Sequence, residues 1–210
     1  MKPEPPFDYL TPLADEGRNN LWEEYHLSTR TKLEGATFFC RCVLGSGSMP
    51  RDIGGRDLYY KLLEWYLDAF FFELVSAYEV VFQELNILYS GETIIEEKDV
   101  KWTSVKEILT EDIVEYIDNT RNLTWFIKLR QHRNKSAHHS HIHTSSWSVG
   151  IGGMTWNHDS HDIMMSYFDP SSNELKLETI QKCRGYLNHM LGYVHEVWTI
   201  IANHFDVQNS

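Results

Sequence analysis

From Arg56 to Tyr89, polar residues recur mostly every three or four positions among apolar ones, over the longest such stretch of the chain. This segment contains no glycine or proline. Such spacing is typical of an α-helix that is polar along one narrow stripe and apolar elsewhere. The pattern predicts a helix that lies at the centre of a bundle or is buried in an oligomer interface. The stripe consists of Asp57, Lys61, Glu64, Asp68, Ser76, Glu79, Gln83 and Asn86.

Three further segments have apolar residues at helical spacing. The first extends from about Gly17 to Leu44. In the second, Thr110-Glu111-Asp112 caps a long helix whose basic residues gather toward its C-terminal half. The last extends from about Leu175 to Phe205. Together with the segment from Arg56 to Tyr89, they predict a bundle of four or five helices.

Between Thr144 and Phe168 the pattern changes to alternation around Gly150-Ile151-Gly152-Gly153, and Asp169–Asn173 has the composition of a turn. Alternation is typical of strands. The predicted fold class is therefore mainly α, with a small β-hairpin insertion at about 144–168 before the last helix. We expect residues 1–15 to be an extended lead-in, 16–205 a single domain and 206–210 a frayed tail.

Composition limits the class of protein. The chain of 210 residues is 42% hydrophobic, which supplies a core without disulfides or metal. Its three cysteines are too few for a disulfide framework, and neither a secretory signal nor a membrane-length apolar run is visible. We expect a cytoplasmic protein with no cofactor and no membrane partner.

The charge is unevenly distributed. The chain carries a net charge of −11, which argues against broad coating of nucleic acid. Residues 119 to 158 nevertheless contain no acid and five basic residues, and seven of the eleven histidines lie between His132 and His161. A concentrated basic segment on an acidic body predicts a localised anion site. The five basic residues are Arg121, Lys128, Arg130, Arg133 and Lys135.

Within this segment, Arg133-Asn134-Lys135-Ser136-Ala137-His138 has the form arginine, polar residue, three residues, histidine. This Arg-His motif resembles that of the HEPN family, whose members are helical bundles marked by Arg-x4–6-His. Here Asn134 occupies the place where Asn, Asp or His follows the arginine. The resemblance covers about residues 18 to 205 as architecture, and only the motif is specific within it. It implies a metal-independent endoribonuclease that acts in defence or in a toxin–antitoxin pair, with an antitoxin as a further partner.

The chemistry of the residues fits that expectation. RNA is cut without metal when a base removes the 2′-hydroxyl proton and a cation stabilises the pentacoordinate phosphorane. His138 suits proton transfer because the usual pKa of histidine lies near neutrality. Arg133 suits the phosphate because its guanidinium stays charged and binds oxygens in pairs. We therefore predict Arg133 and His138 as catalytic residues, with Asn134 in support. The predicted RNA-binding residues are Lys128, Arg130, Lys135, His139 and His141.

The spacing of the motif also bears on oligomeric state. On a straight helix, residues five apart lie about 140° apart around the axis, so Arg133 and His138 would not share a face. In the family, the site lies in a cleft between two protomers, which implies a homodimer here. One departure concerns regulation. In the branch whose toxins are switched off by nucleotidylation, a tyrosine follows the motif histidine by two residues, and here that position is Ser140.

Other interpretations of the segment stay open. Arg133 and His138 are also compatible with a surface pair at a helix end, where cations suit the dipole. A non-catalytic HEPN-like dimer would bind a nucleotide, RNA or a protein partner through the same residues. A metal-dependent hydrolase would instead use alternating His139, His141 and His143. Because no fourth ligand follows at motif spacing, we expect no stoichiometric zinc.

Overall fold

The computed structural model describes residues 16–45, 55–138, 144–146, 163–169, 172 and 174–208. Six α-helices, two 3₁₀ turns and one sheet occur in these ranges, so the predicted mainly helical class with a small β insertion is confirmed. The 3₁₀ turns are Glu97–Asp99 and Lys106–Ile108. The helices are α1 (Glu16–Gly45), α2 (Gly55–Tyr89), α3 (Trp102–Val105), α4 (Glu111–Arg121), α5 (Thr124–His138) and α6 (Lys182–Gln208), and the strands are β1 (Thr144–Ser146), β2 (Ile163–Asp169) and β3 (Glu174–Thr179).

Helices α1 and α2 pack along each other and form the largest contact of the fold. Arg18 of α1 donates hydrogen bonds to the carbonyl oxygens of Ile87 (2.8 Å), Ser90 and Gly91 (3.1 Å). Because the last carbonyls of a helix have no partner within it, this arginine caps the C-terminus of α2.

Helix α2 is central, as its pattern predicted. It contacts α1, α3, α5, α6 and β1. Its buried apolar side chains form the middle of the core, and burial of this kind is the main stabilising contribution to the fold. These residues are Leu63, Leu67, Phe70, Phe71, Leu74, Val75, Ala77, Tyr78, Val81, Phe82, Leu85 and Ile87.

Asn86, which we predicted to lie on the polar stripe of α2, is instead buried. Its side-chain amide donates to the carbonyl oxygen of Ile95 (2.9 Å), and its side-chain oxygen accepts from the backbone N–H of Ile95 (3.1 Å) and the hydroxyl of Ser90 (2.7 Å). These bonds fix the connection that follows α2, because buried backbone groups of a loop need such partners.

The prediction of a single long helix from Thr110 onward is wrong, because the structure divides this segment into α4 and α5. Asn122 ends α4, with its N–H directed to the carbonyl oxygens of Asn119 and Thr120. The carbonyl oxygen of Leu123 then accepts the first bonds of α5, from Phe126 and Ile127. Asn and Thr side chains compete for backbone hydrogen bonds and weaken a helix interior, and they are concentrated at this break.

The sheet has three antiparallel strands in the order β1-β2-β3. Of the predicted turn at Asp169–Asn173, Asp169 belongs to β2 and Ser172 is a turn residue, and the other three positions lie outside the described residues. Met165 of β2 pairs with Glu178 of β3. The prediction that the last helix begins at Leu175 is wrong, since residues 174–179 form β3. Their sequence, Glu-Leu-Lys-Leu-Glu-Thr, alternates with the period of a strand. Helix α6 begins at Lys182 and extends beyond the predicted end, to Gln208.

Among the described helices, none combines the length and the hydropathy that a membrane span requires.

Candidate functional site

The Arg-His motif lies entirely within α5, which continues to His138. In a regular helix, Arg133 and His138 are therefore about 140° apart around the axis, whereas Asn134 and His138 are one turn apart. The structure describes the side chains of α5 as far as Asn134, so those of Lys135 and His138 lie outside the description. His139 and His141, two of the predicted RNA-binding residues, are outside the described residues altogether.

Three predicted site residues share one side of α5. Arg130 and Asn134 are exposed, and Arg133 is half-exposed. Residues separated by three or four positions are neighbours on a helix, which places Arg133 and Asn134 beside Arg130. Within the described part of the chain, these three side chains form no hydrogen bond or ion pair. Their cationic and amide groups are thus available to an anion.

Lys128 and His132 lie on a different side of α5 and contact β3. The imidazole Nε2 of His132 lies 2.8 Å from Oε1 of Glu178, and Nζ of Lys128 lies 3.4 Å from Oε2 of the same carboxylate. The hydroxyl of Tyr186 on α6 also donates to Glu178. We refer to these four residues as the Glu178 cluster. It ties together α5, the sheet and α6.

Aromatic rings enclose the cluster. His132 is fully buried and stacks on Phe71 of α2, with the ring centroids 4.4 Å apart and the planes at 11°. The ammonium group of Lys128 lies 5.3 Å from the centroid of Tyr167 on β2. An ion pair in such surroundings is strengthened by the low dielectric, provided that the donors satisfy the carboxylate.

The electrostatics of the cluster indicate an ionised glutamate. Burial would raise the pKa of Glu178, but hydrogen bonds from His132 and Tyr186 and the charges of His132 and Lys128 outweigh it, so the pKa lies below its ordinary value of 4.5. Burial would lower the pKa of Lys128, and the charge of Glu178 raises it above the usual value instead. Burial, followed by the charge of Glu178, raises the pKa of Tyr186.

Two consequences follow for the predicted site. Lys128, predicted to bind RNA, is directed to Glu178, with one third of its side chain exposed. Glu178 lies in another part of the chain, and its negative charge reduces the local positive charge of the basic segment at residues 119–158. His132, adjacent to the motif, was not among our predicted site residues. Its only sequence signal is its position one turn after Lys128, and nothing in the sequence connects it with Glu178.

A second buried carboxylate occurs at Glu84 of α2. It accepts hydrogen bonds from Thr29 of α1 and from the indole N–H of Trp198 of α6 (3.1 Å), and it lies 3.2 Å from Nδ1 of His26. The ring of His26 packs between Trp22 and Trp198, at centroid distances of 5.0 and 4.4 Å. Glu84 is fully buried. This cluster connects three helices and is closed to a substrate.

Among the described residues, no three His, Cys, Asp or Glu side chains form a group that could hold a metal ion. The alternating histidines His139, His141 and His143, on which the metal alternative depends, lie outside them.

Comparison with known proteins adds no relative. No protein-family model matches the chain, and neither a curated protein nor a solved structure is similar to it.

Proposed function

We propose that this protein is a HEPN-like, metal-independent endoribonuclease that acts through Arg133 and His138. The observation that supports the proposal is the division of α5 into two sides. One side, with Lys128 and His132, is bound to Glu178. The other carries Arg130, Arg133 and Asn134 without partners in the described chain, which leaves them available for a phosphate.

The reaction needs one base and one cation. His138 removes the proton from a ribose 2′-hydroxyl, the 2′-oxygen forms a bond to phosphorus, and the bond from phosphorus to the 5′-oxygen breaks. The leaving 5′-oxygen takes a proton, and the product keeps a 2′,3′-cyclic phosphate. Arg133 stabilises the charge of the phosphorane, and Asn134 orients one of the two groups.

Among the described histidines of α5, His132 is unsuited to that proton transfer. It is fully buried and its Nε2 faces Glu178. A general base must come within hydrogen-bond distance of the proton that it removes. We therefore propose His138 as the base on α5.

The helical spacing favours a site shared by two copies. In a regular helix, positions five residues apart, such as 133 and 138, lie about 140° apart around the axis. Two copies of α5 facing each other would bring an arginine and a histidine to one phosphate. We therefore expect cleavage by a homodimer and none by a monomer.

The central test uses Arg133→Ala and His138→Ala with labelled RNA in the presence of EDTA. Each substitution should lower the cleavage rate by about 10²–10⁴-fold, because each removes a proton-transfer or charge-stabilising group. Arg30→Ala and His195→Ala are matched controls, since both residues are exposed and lie outside α5. A 2′-deoxy nucleotide at the cut should block the reaction.

The same assay separates the alternatives. Tight RNA binding without cleavage, unaffected by either alanine substitution, would support the binding-module interpretation. Loss of activity on chelation, together with loss of a stoichiometric metal, would support the hydrolase that uses His139, His141 and His143. His139→Ala should have a smaller effect than His138→Ala. The proposed role as a toxin and the proposed antitoxin partner both depend on this RNA cleavage.

A further inference from the structure

The C-terminal half of α5 carries the Arg-His motif on a stretch with little apolar surface. Residues 130–138 contain one apolar residue, Ala137. The last buried apolar side chain that the structure describes in α5 is Leu129. Beyond it, as far as the side chains of the helix are described, only His132 is buried. Within this stretch, His132 is therefore the side chain that attaches α5 to the interior of the protein.

The contacts of His132 are directional. Its Nε2 lies 2.8 Å from Oε1 of Glu178, and the same oxygen accepts a hydrogen bond from Tyr186. Oε2 of the carboxylate lies 3.4 Å from Nζ of Lys128, so both oxygens have partners. The imidazole ring also stacks on Phe71. Because hydrogen bonds depend on angle, whereas apolar burial does not, these contacts fix the direction in which His132 leaves the helix.

The direction of His132 determines that of Arg133, the next residue. Adjacent residues of a helix are about 100° apart around its axis, so the two directions change together. A rotation of α5 by about 10° would move a group about 6 Å from the axis by about 1 Å. Misplacement of a reacting group by about 1 Å can lower a rate by about 10²-fold. The contact at His132 therefore controls a position on which the proposed reaction depends.

Stability alone does not account for the cluster. His132 is fully buried and Glu178 nearly so, and burial of such polar groups costs solvation that an apolar set of similar size would keep. Replacement of buried ion pairs by apolar residues is often neutral or stabilising. An apolar set would lack the directed contact beneath the polar half of α5. This favours a role of the Glu178 cluster in placement.

We propose that Glu178 is a positioning residue for the Arg-His site. By holding His132, with support from Lys128 and Tyr186, it fixes the rotation of α5 and so the position of Arg133 against the scissile phosphate. Glu178 acts through the helix and does not touch the substrate. This inference rests on the proposed function.

Single-turnover cleavage of labelled RNA by the full chain, in EDTA, tests the role. Glu178→Gln should lower the rate by about tenfold or more for an equal amount of folded protein, because α5 is no longer held in one rotation. Glu84→Gln is the matched control. It removes the other buried carboxylate, whose donors lie on α1 and α6, and should leave the rate of the folded protein unchanged. Circular dichroism gives the folded fraction of each variant.

Two substitutions of His132 separate positioning from packing. Glutamine provides an amide N–H that reaches toward Glu178 as Nε2 does, whereas leucine fills the space without a donor. His132→Leu should lower the cleavage rate by about tenfold or more, and His132→Gln should restore most of it. Equal rates in the two variants would overturn the proposal, since packing alone would then be sufficient.

The link to Arg133 is tested by combining substitutions. In Arg133→Ala there is no guanidinium to misplace, so adding Glu178→Gln should lower the remaining rate by no more than about twofold. An effect as large as in the wild type would show that Glu178 does not act through Arg133, and would overturn the proposal.

The two proposals fail in different ways. A wild-type protein that cuts no RNA overturns the proposed function, and the positioning role with it. A wild-type protein that cuts RNA, together with a Glu178→Gln variant as active as Glu84→Gln, overturns the positioning role alone. If Glu178→Gln does not fold, Tyr186→Phe takes its place, because it removes only one hydrogen bond to Glu178. It should also lower the rate, whereas Tyr193→Phe, its control on the same helix, should not.

Discussion

Two glutamates in the interior, Glu178 and Glu84, are each surrounded by donors from other elements. A buried carboxylate is stable only when hydrogen bonds and opposite charges replace its water. Tyr186 and Lys128 provide this for Glu178, and Thr29 and Trp198 provide it for Glu84. At the scale of single residues, these carboxylates fix how the helices meet.

Glu178→Gln should lower the free energy of unfolding by about 3 kcal/mol at neutral pH, because Lys128 and His132 would lose their charged partner inside the protein. The pKa of Glu178 is depressed in the folded state, so its contribution is complete above the ordinary value of 4.5. It is lost as the pH falls through the folded-state pKa. Urea unfolding of both proteins between pH 7 and pH 3 measures the difference.

Glu174→Gln is the control for this substitution, since Glu174 is exposed on the same strand. It should change stability by less than about 0.5 kcal/mol. A difference between wild type and Glu178→Gln that grows toward low pH would contradict the assigned charge state.

Two buried tyrosines provide a second prediction. The hydroxyl of Tyr186 donates to Glu178, whereas that of Tyr193 has no hydrogen-bond partner in the described structure. Tyr186→Phe should therefore destabilise the protein by about 1–2 kcal/mol, and Tyr193→Phe should be neutral or stabilising. Thermal unfolding of the pair measures the contrast. Equal losses in both variants would mean that Tyr193 has a partner after all.

At the scale of elements, a short chain of hydrogen bonds joins three helices near the end of α6. Nε2 of His204 lies 2.8 Å from Oδ2 of Asp112 at the start of α4, and its Nδ1 lies 2.8 Å from the hydroxyl of Tyr89 at the end of α2. Burial raises the pKa of Asp112, but the hydrogen bonds that its carboxylate accepts from Thr110, His204 and the backbone N–H of Ile113 together outweigh it, so the pKa lies below its ordinary value. The contact holds the ends of α2, α4 and α6 together.

His204→Ala should reduce stability by about 1 kcal/mol, a modest value because Asp112 is more than half exposed. Asn203→Ala, at an exposed position in the same turn, is the control and should have little effect. Hydrogen exchange of the last turns of α6 should accelerate in His204→Ala alone. Unchanged exchange in that variant would show that the chain of bonds does not hold α6.

At the scale of the whole molecule, large apolar side chains remain exposed on α1 and α2. Leu27 and Phe38 of α1 and Trp65 and Phe72 of α2 are each more than half exposed. Trp65 and Phe72 are seven residues apart and so lie on one side of α2. Exposed apolar patches on a helix typically mark an interface.

We therefore expect a homodimer at micromolar concentration, and Trp65→Glu or Phe72→Glu should shift it toward a monomer by placing a charge in the contact. Leu177→Glu introduces the same charge at an exposed position on β3 and is the control. Light scattering gives the mass, and circular dichroism verifies the fold. A wild-type monomer with an intact fold would refute this expectation.

The sequence by itself determined the helices with strong periodicity, because periodicity is a local property. It also singled out Arg133 and His138, since a motif is a matter of spacing. It did not reveal that α4 and α5 are separate. The apolar pattern continues across the weak helix formers at Asn119–Asn122, and this continuity hides the break.

Only the tertiary structure decided which charges face each other. Glu178 lies 46 residues after His132 and 50 after Lys128, yet it neutralises the inner side of α5. Arg121 and Arg130, counted in the sequence as parts of one basic segment, line a groove together with residues of α1, α2 and α3. Coulombic and hydrogen-bond interactions depend on distance in space, which the order of residues leaves open until the helices pack.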